Sequence, residues 1–186
     1  LRFDNLYSTV TDQGWSGVAI EPLSKYFIEL VNNYKNYQNV IPVNCGIHHT
    51  LREAKIYSVS DSALELYPSW IDGCASMNRE HLVRAGVSSH HIIESAVKCV
   101  QLMEVVDSYN MYDADYLQVD TEGFDAEVLK MIDFKKIKPL VIKFEWIHLS
   151  PQDQADTRSL LHSNGYKLEV NKDGLDCCAW LNNKVS

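Results

Sequence analysis

The chain carries a series of short apolar runs, each closed by an acidic or amide side chain. "GVAIE" ends in Glu21, "NVIPVNCGI" passes Asn44 and Cys45, "YLQVD" ends in Asp120, and "VIKFE" ends in Glu145. Such runs are too short for helices and too continuous for strands wetted on one face. They read as strands buried on both faces of a parallel sheet. Between the first two runs, "SKYFIELVNNY" places Tyr26, Phe27, Leu30, Val31 and Tyr34 on one helical face, with Ser24 as the expected N-cap. Strand, helix and strand with short connections predict a parallel βαβ unit, and so an α/β fold.

The remaining pattern extends this order. "FDNLYSTVTDQ" predicts a weak helix or turn-rich start, closed at Gly14. Pro42 is awkward inside a strand because it cannot donate to a ladder. "AKIYSVS" predicts a strand that could form a hairpin with "CGIHHT". Residues 64–86 hold Pro68, Gly73, Ser69 and Ser76, and predict a long loop over one edge. "SAVKCVQLMEVVDSY" starts as a strand and ends as a helix. "ADYLQVD" is the clearest strand, "TEGFDAEVLKMI" a turn and helix, and "KPLVIKFEW" a further strand. A helix follows with Ser150 as N-cap, Pro151 at its first position and Gly165 just past its end. "YKLEVN" and "DCCAWLN", joined at "KDG", predict an antiparallel hairpin.

With 186 residues, 46% of them apolar, one domain over 1–186 with a substantial core is expected. A net charge of −8 argues against nucleic acid as a main partner, because phosphate binding wants a basic face. No run approaches the roughly 20 apolar residues of a membrane span, and no signal peptide is visible. The five cysteines are odd in number, and Cys177 and Cys178 are adjacent. They read as reduced thiols of a cytoplasmic protein, with no spacing for structural zinc. No strand is followed by G-x-G-x-x-G, which speaks against a nicotinamide-dependent oxidoreductase.

In open α/β sheets, ligands bind outside the carboxyl ends of the parallel strands. Glu21, Asp120, Glu122 and Glu145 all fall there, with His148 three residues beyond Glu145. Acids so placed repel one another unless a cation, a proton or ligand hydroxyls use them. Glu21 suits a carboxylate accepting ribose hydroxyls; a helix-start acid favoured by the macrodipole is the alternative. Asp120, Glu122 and Glu145 form an all-oxygen set suited to Mg²⁺ or Ca²⁺. His148 titrates near neutrality and is a candidate base, with an ordinary loop histidine as the alternative. Glu122 could instead serve only the start of the helix near Phe124. The pairs His48–His49 and His90–His91 read as surface, since adjacent strand residues point apart. Trp15, Trp70, Trp146 and Trp180 read as core or rim, with Trp70 and Trp146 flanking the site.

"GWSGVAIEP", "NVIPVNCGI", "DYLQVDTEGFDAEVLKMIDF" and "KPLVIKFEW", with the closing "GY" and "DCCAWL", resemble the FkbM-type methyltransferase family in order and spacing. The D-x-E-G turn leading into "DAEVL" is the most specific piece. The resemblance implies a class I, Rossmann-like methyltransferase fold: a doubly wound, mostly parallel sheet closed by an antiparallel C-terminal hairpin. It implies S-adenosylmethionine as cofactor and O-methylation of a sugar or natural-product hydroxyl, so a small molecule or glycan as acceptor. On this resemblance Glu21 and the adjoining Pro22 hold the ribose. Asn44 and Cys45 flank the adenine or methionine part, Ser76 touches the adenine, and Asp120 sits beside the methionine amine and methyl group. From their place after the strand next to Asp120, and not from the resemblance, His148 or Glu145 is expected to activate the acceptor, with Glu122 as a further catalytic candidate and a divalent ion such as Mg²⁺ as an option. The family's first strand and its Gly-rich turn belong before "DNLYST", so the sheet is expected to lack that strand in this chain. A non-catalytic binding or dimerising module, with homodimer formation, is the other reading.

Overall fold

The computed structural model describes residues 6–182; Phe3 to Asn5 of the expected first helix lie outside them. Helix α1 (Tyr7–Gln13) stops at Gly14, which takes φ 66° and returns its N–H to the Val10 carbonyl. Strand β1 (Gly17–Ile20), helix α2 (Ser24–Tyr34) and strand β2 (Val40–Val43) form the expected unit, with β1 and β2 parallel. Ser24 is not the N-cap. That position belongs to Leu23, whose N–H donates to Glu21 Oε1 at 2.7 Å, so a carboxylate two residues upstream serves the helix start. Pro42 is tolerated because β2 has a single ladder partner among the described residues.

The run "NVIPVNCGI" does not continue as one strand. After β2 the chain crosses at Asn44 and Cys45 to a short β3 (Gly46–Ile47), which joins β6 (Ile92–Val100) in parallel. Gly46 packs closely there, since a Cβ would stand 3.0 Å from Cys99 Sγ. Strand β4 (Glu53–Val59) does not make a hairpin with "CGIHHT". It pairs antiparallel with β6 along its whole length, from Glu53 opposite Lys98 to Val59 opposite Ile92. The reason is burial: that register puts Ala54, Ile56, Val97 and Cys99 into one small core with Leu23.

Residues 64–86 are not a loop. They contain parts or all of two 3₁₀ helices (Asp61–Leu66 and Ser69–Gly73), strand β5 (Ala75–Ser76) and helix α3 (Arg79–Arg84). Asn78 caps α3 by accepting the Glu80 N–H. Ile71 and Leu82 anchor this segment in a core of its own with Val59 and Val87.

The C-terminal half holds the main core. Helix α4 (Leu102–Tyr109), strand β7 (Tyr116–Val119), helix α5 (Asp125–Lys130), strand β8 (Val141–Glu145), helix α6 (Pro151–Ser163) and strands β9 (Tyr166–Val170) and β10 (Asp176–Leu181) follow in order. The sheet runs β7-β8-β10-β9, with β7 and β8 parallel and β10 antiparallel to both neighbours. Leu129, Ile142, Phe144, Leu161, Tyr166 and Cys177 are sealed inside it. Ser150 caps α6 through the Asp153 N–H at 3.1 Å, and Gly165 takes φ 91° beyond its end, as the sequence predicts.

The architecture is therefore mixed α/β, not one mostly parallel sheet. Parallel pairs occur at β1-β2, β3-β6 and β7-β8, and every other ladder is antiparallel. The antiparallel closing hairpin is as expected; the departure lies in β4, which runs antiparallel to both β5 and β6.

Leu161 is fully buried on α6. Leu161→Ala should lower stability by about 2–5 kcal/mol, read as a lower denaturant midpoint at unchanged slope.

Candidate active site

The turn after β7 carries Asp120, Thr121, Glu122 and Gly123, and its conformation is unusual. Glu122 has φ 52° and Gly123 has φ 98°, two consecutive left-handed residues. A non-glycine side chain rarely adopts this conformation unless its surroundings hold it. Ser76 Oγ donates to the Glu122 carbonyl at 2.8 Å from β5. Gly123 faces His148, whose Cβ would lie 3.7 Å from a Cβ built there.

Beneath the turn lies Asp125, with no solvent exposure. Its Oδ2 accepts the Thr121 N–H and hydroxyl at 3.2 and 2.7 Å, and its Oδ1 accepts the Glu145 N–H at 3.1 Å. One buried carboxylate thus joins the end of β7 to the end of β8. Burial pushes its acidity down, raising its pKa, while these donors oppose the shift.

Asp120, Glu122 and Glu145 converge as a result, with one oxygen of each within 4.8 Å of the others. Glu145 is the deepest, with 16% of its side chain exposed, and its Oε2 is buried without a hydrogen-bond partner. Loss of water, then Glu122 and Asp120, push its carboxyl up to about 9. Asp120 stands at the mouth, open to solvent on one side. The protein wall beside it, then Glu122 and Asp125, lift its carboxyl to about 6. His148 Nε2 lies 3.4 Å from Glu145 Oε1 and 3.8 Å from Glu122 Oε2. Burial, and then His81, hold its imidazole below its ordinary pKa, which favours the neutral ring at pH 7.

His81 was not among the residues singled out in the sequence. It reaches the cluster from α3, with Nε2 2.9 Å from Glu122 Oε2 and its ring perpendicular to that of His148 at 4.4 Å. A capped helix at "NREHLVR", with Leu82 as its buried anchor, was the signal available, but the surrounding Pro, Gly and Ser masked it.

The cofactor candidates lie elsewhere. Glu21 closes β1, one oxygen taken by the Leu23 N–H and the other without a partner among the described residues. Burial raises its carboxyl to about 7, the Leu23 donor opposing. Asn44 donates to the Glu21 and Pro22 carbonyls at 2.8 and 3.1 Å, clamping the ends of β1 and β2. Cys45 is buried, with its thiol pushed up by burial and by Cys99. Ser76 is buried as well, its hydroxyl turned to Glu122, with the Asn78 N–H donating to it. The expected meeting of all the acidic strand ends is therefore partial: no ion pair or shared donor group joins Glu21 to Asp120, Glu122 and Glu145 among the described residues. A cavity of about 420 Å³ adjoins Pro22, Leu23 and Tyr26 and reaches Ser58 and Ser95. Another of about 360 Å³ is lined by His49, Gln101 and Glu127, among others. Neither includes the carboxylate–histidine cluster, which opens to solvent directly at Asp120 and His148.

The other histidine and tryptophan expectations divide. His48 is buried, stacked between His49 and Phe124, and its Nδ1 accepts the Thr50 and Leu51 N–H groups; this pair is not simple surface. His90 is exposed, and His91 bonds the Tyr67 hydroxyl at 2.7 Å. Trp146 is core, with Arg158 over its ring, whereas Trp70 is 54% exposed.

A family model for the FkbM methyltransferase domain matches residues 2–168. No curated protein matches the sequence. Among solved structures, the Methanococcus jannaschii fibrillarin pre-rRNA processing protein is similar at 12% identity and a TM-score of 0.38, over 90% of this chain and 56% of that one. The chain thus spans little more than half the length of that relative. Among the described residues, no helix is long and apolar enough to cross a membrane.

Glu145 and Asp120 hold protons in the folded chain that the unfolded chain releases near pH 4 to 5. Their stabilising contribution is complete below that range and is lost as pH rises through about 6 for Asp120 and about 9 for Glu145. Thermal melts in chelator should therefore show Tm falling from pH 5 to pH 9. Glu145→Gln should flatten that fall, recovering about 2–4 °C at pH 9 for each kcal/mol of repulsion relieved.

Proposed function

The chain belongs to the FkbM methyltransferase family, and on that premise we propose that it is an S-adenosylmethionine-dependent O-methyltransferase acting on a small-molecule or glycan hydroxyl. The observation that carries this is the carboxylate–histidine cluster after β7 and β8, in which a neutral imidazole faces an open, acidic rim. A class I arrangement of one domain over 1–186 is part of the proposal, supported by the β1-α2-β2 unit and the acid at its first strand end.

The donor set around Glu21 suits an adenosine ribose. One carboxylate oxygen has no protein partner among the described residues, and the clamp by Asn44 fixes the strand ends around it. S-adenosylmethionine, when bound, supplies an electrophilic methyl on a sulfonium sulfur. The chain's own residues do the rest. Glu21 would accept the ribose hydroxyls, and the rim at Asp120 would receive the acceptor. A hydroxyl is a poor nucleophile until its proton leaves, and His148 Nε2, held neutral, can take that proton. Glu145 holds its own proton at neutral pH, so it does not act as the base. Glu122 Oε2, 3.8 Å from His148 Nε2, stands beside the resulting imidazolium.

Two measurements test the reading. S-adenosylhomocysteine at about 100 times its dissociation constant should stabilise the chain by roughly 2.7 kcal/mol, and Glu21→Ala should abolish that shift. Because Glu21 titrates near pH 7, calorimetric affinity should be about tenfold weaker at pH 6 than at pH 8. A pH-independent affinity, or one undiminished by Glu21→Ala, removes Glu21 from the cofactor site. Separately, His148→Ala should cut methyl transfer by about 10²–10⁴-fold in kcat, with the cofactor shift intact. Unchanged turnover would take the base role from His148.

A further inference from the structure

Two histidines and a carboxylate from three separate elements meet at Glu122. His81 comes from α3, Glu122 from the turn after β7 and His148 from the turn after β8. Their donor atoms lie within 4.8 Å of one another, with the two Nε2 atoms 2.9 and 3.8 Å from Glu122 Oε2. We propose that His81, Glu122 and His148 bind a divalent first-row transition ion of the Zn²⁺ type.

The distances carry the first part of the argument. Ion–nitrogen and ion–oxygen bonds of about 2.0–2.2 Å place donors about 3–3.5 Å apart around one ion. The observed set already straddles that spacing and closes on it by small side-chain rotations. Glu145 Oε1 lies 3.4 Å from His148 Nε2 but groups with Asp120 and Glu122, so it borders the set.

Charge carries the second part. The close partners of Glu122 and Glu145 are histidines among the described residues, with no lysine or arginine paired to either. Glu145 Oε2 is buried and without a partner. A buried carboxyl oxygen is ordinarily satisfied by a donor or a cation, and no donor reaches this one among the described residues.

Donor chemistry carries the third part. Asp120, Glu122 and Glu145 alone would suit Mg²⁺ or Ca²⁺. Two imidazole nitrogens beside the same Glu122 oxygen move the preference toward borderline ions. The strained turn fits this role, since Ser76 and Gly123 hold Glu122 in a left-handed conformation that aims its carboxylate between the two rings.

Such an ion would lower the pKa of a coordinated hydroxyl. His148 would then be a ligand. The ion's action on a hydroxyl rests on the methyl-transfer reading; ion binding itself does not.

The test is a Co²⁺ titration of the full chain after removal of metals by chelator, read by visible absorption. The absorption should saturate at one Co²⁺ per chain, be displaced by Zn²⁺ and survive excess Mg²⁺. His81→Gln and Glu122→Gln should each lose at least about tenfold in Co²⁺ affinity, while exposed His90→Gln changes nothing. No absorption in the unsubstituted chain, displacement by equimolar Mg²⁺, or binding undiminished in both variants overturns the proposal. The unsubstituted chain needs no variant to fold, so its titration decides by itself. Co²⁺ binding without S-adenosylhomocysteine binding would count against the cofactor reading alone, and the reverse against the metal site alone.

Discussion

The site depends on one buried carboxylate. Asp125 lies without solvent between two strand ends and accepts hydrogen bonds from the Thr121 backbone, the Thr121 hydroxyl and the Glu145 backbone. A buried charge is costly unless paired or hydrogen-bonded, so these donors are a condition of its being there at all. They also fix the turn after β7 against the end of β8. That register brings the strand ends bearing Asp120, Glu122 and Glu145 together.

Crowding three acids opposes folding, and the protein accommodates it in two ways. Glu145 retains its proton, since loss of water and two neighbouring carboxylates make ionisation unfavourable. Glu122 keeps two imidazoles beside it. The result is a set of groups of differing acidity over a few ångströms, which is the arrangement that acid–base chemistry requires. The α3 segment is then part of the site, not a cover over it, because it supplies His81 and, through Ser76 on β5, the hydrogen bond that restrains Glu122.

Much of the fold was legible along the chain. The βαβ unit, the β7–α5 and β8–α6 connections and the closing hairpin follow from apolar runs bounded by caps and turn residues, because those signals are local. The sheet arrangement was not. β4 chose β6 over the nearby "CGIHHT" segment, since that register buries Ala54, Ile56, Val97 and Cys99 together. Residues 64–86 looked like a loop because Pro68 and Gly73 interrupt any period, yet Ile71 and Leu82 give them a core.

The sequence by itself determined which residues could do chemistry. Acids at strand ends, the D-x-E-G turn and His148 are set by local pattern, and pattern is enough to place them at the mouth of an α/β fold. Only the tertiary structure decided which of them act together. Glu21 stands apart with Leu23 and Asn44, while His81, many residues from the turn it joins, completes the cluster. The physical reason is that proximity between elements follows from burying apolar faces and satisfying Asp125, and neither depends on separation along the chain.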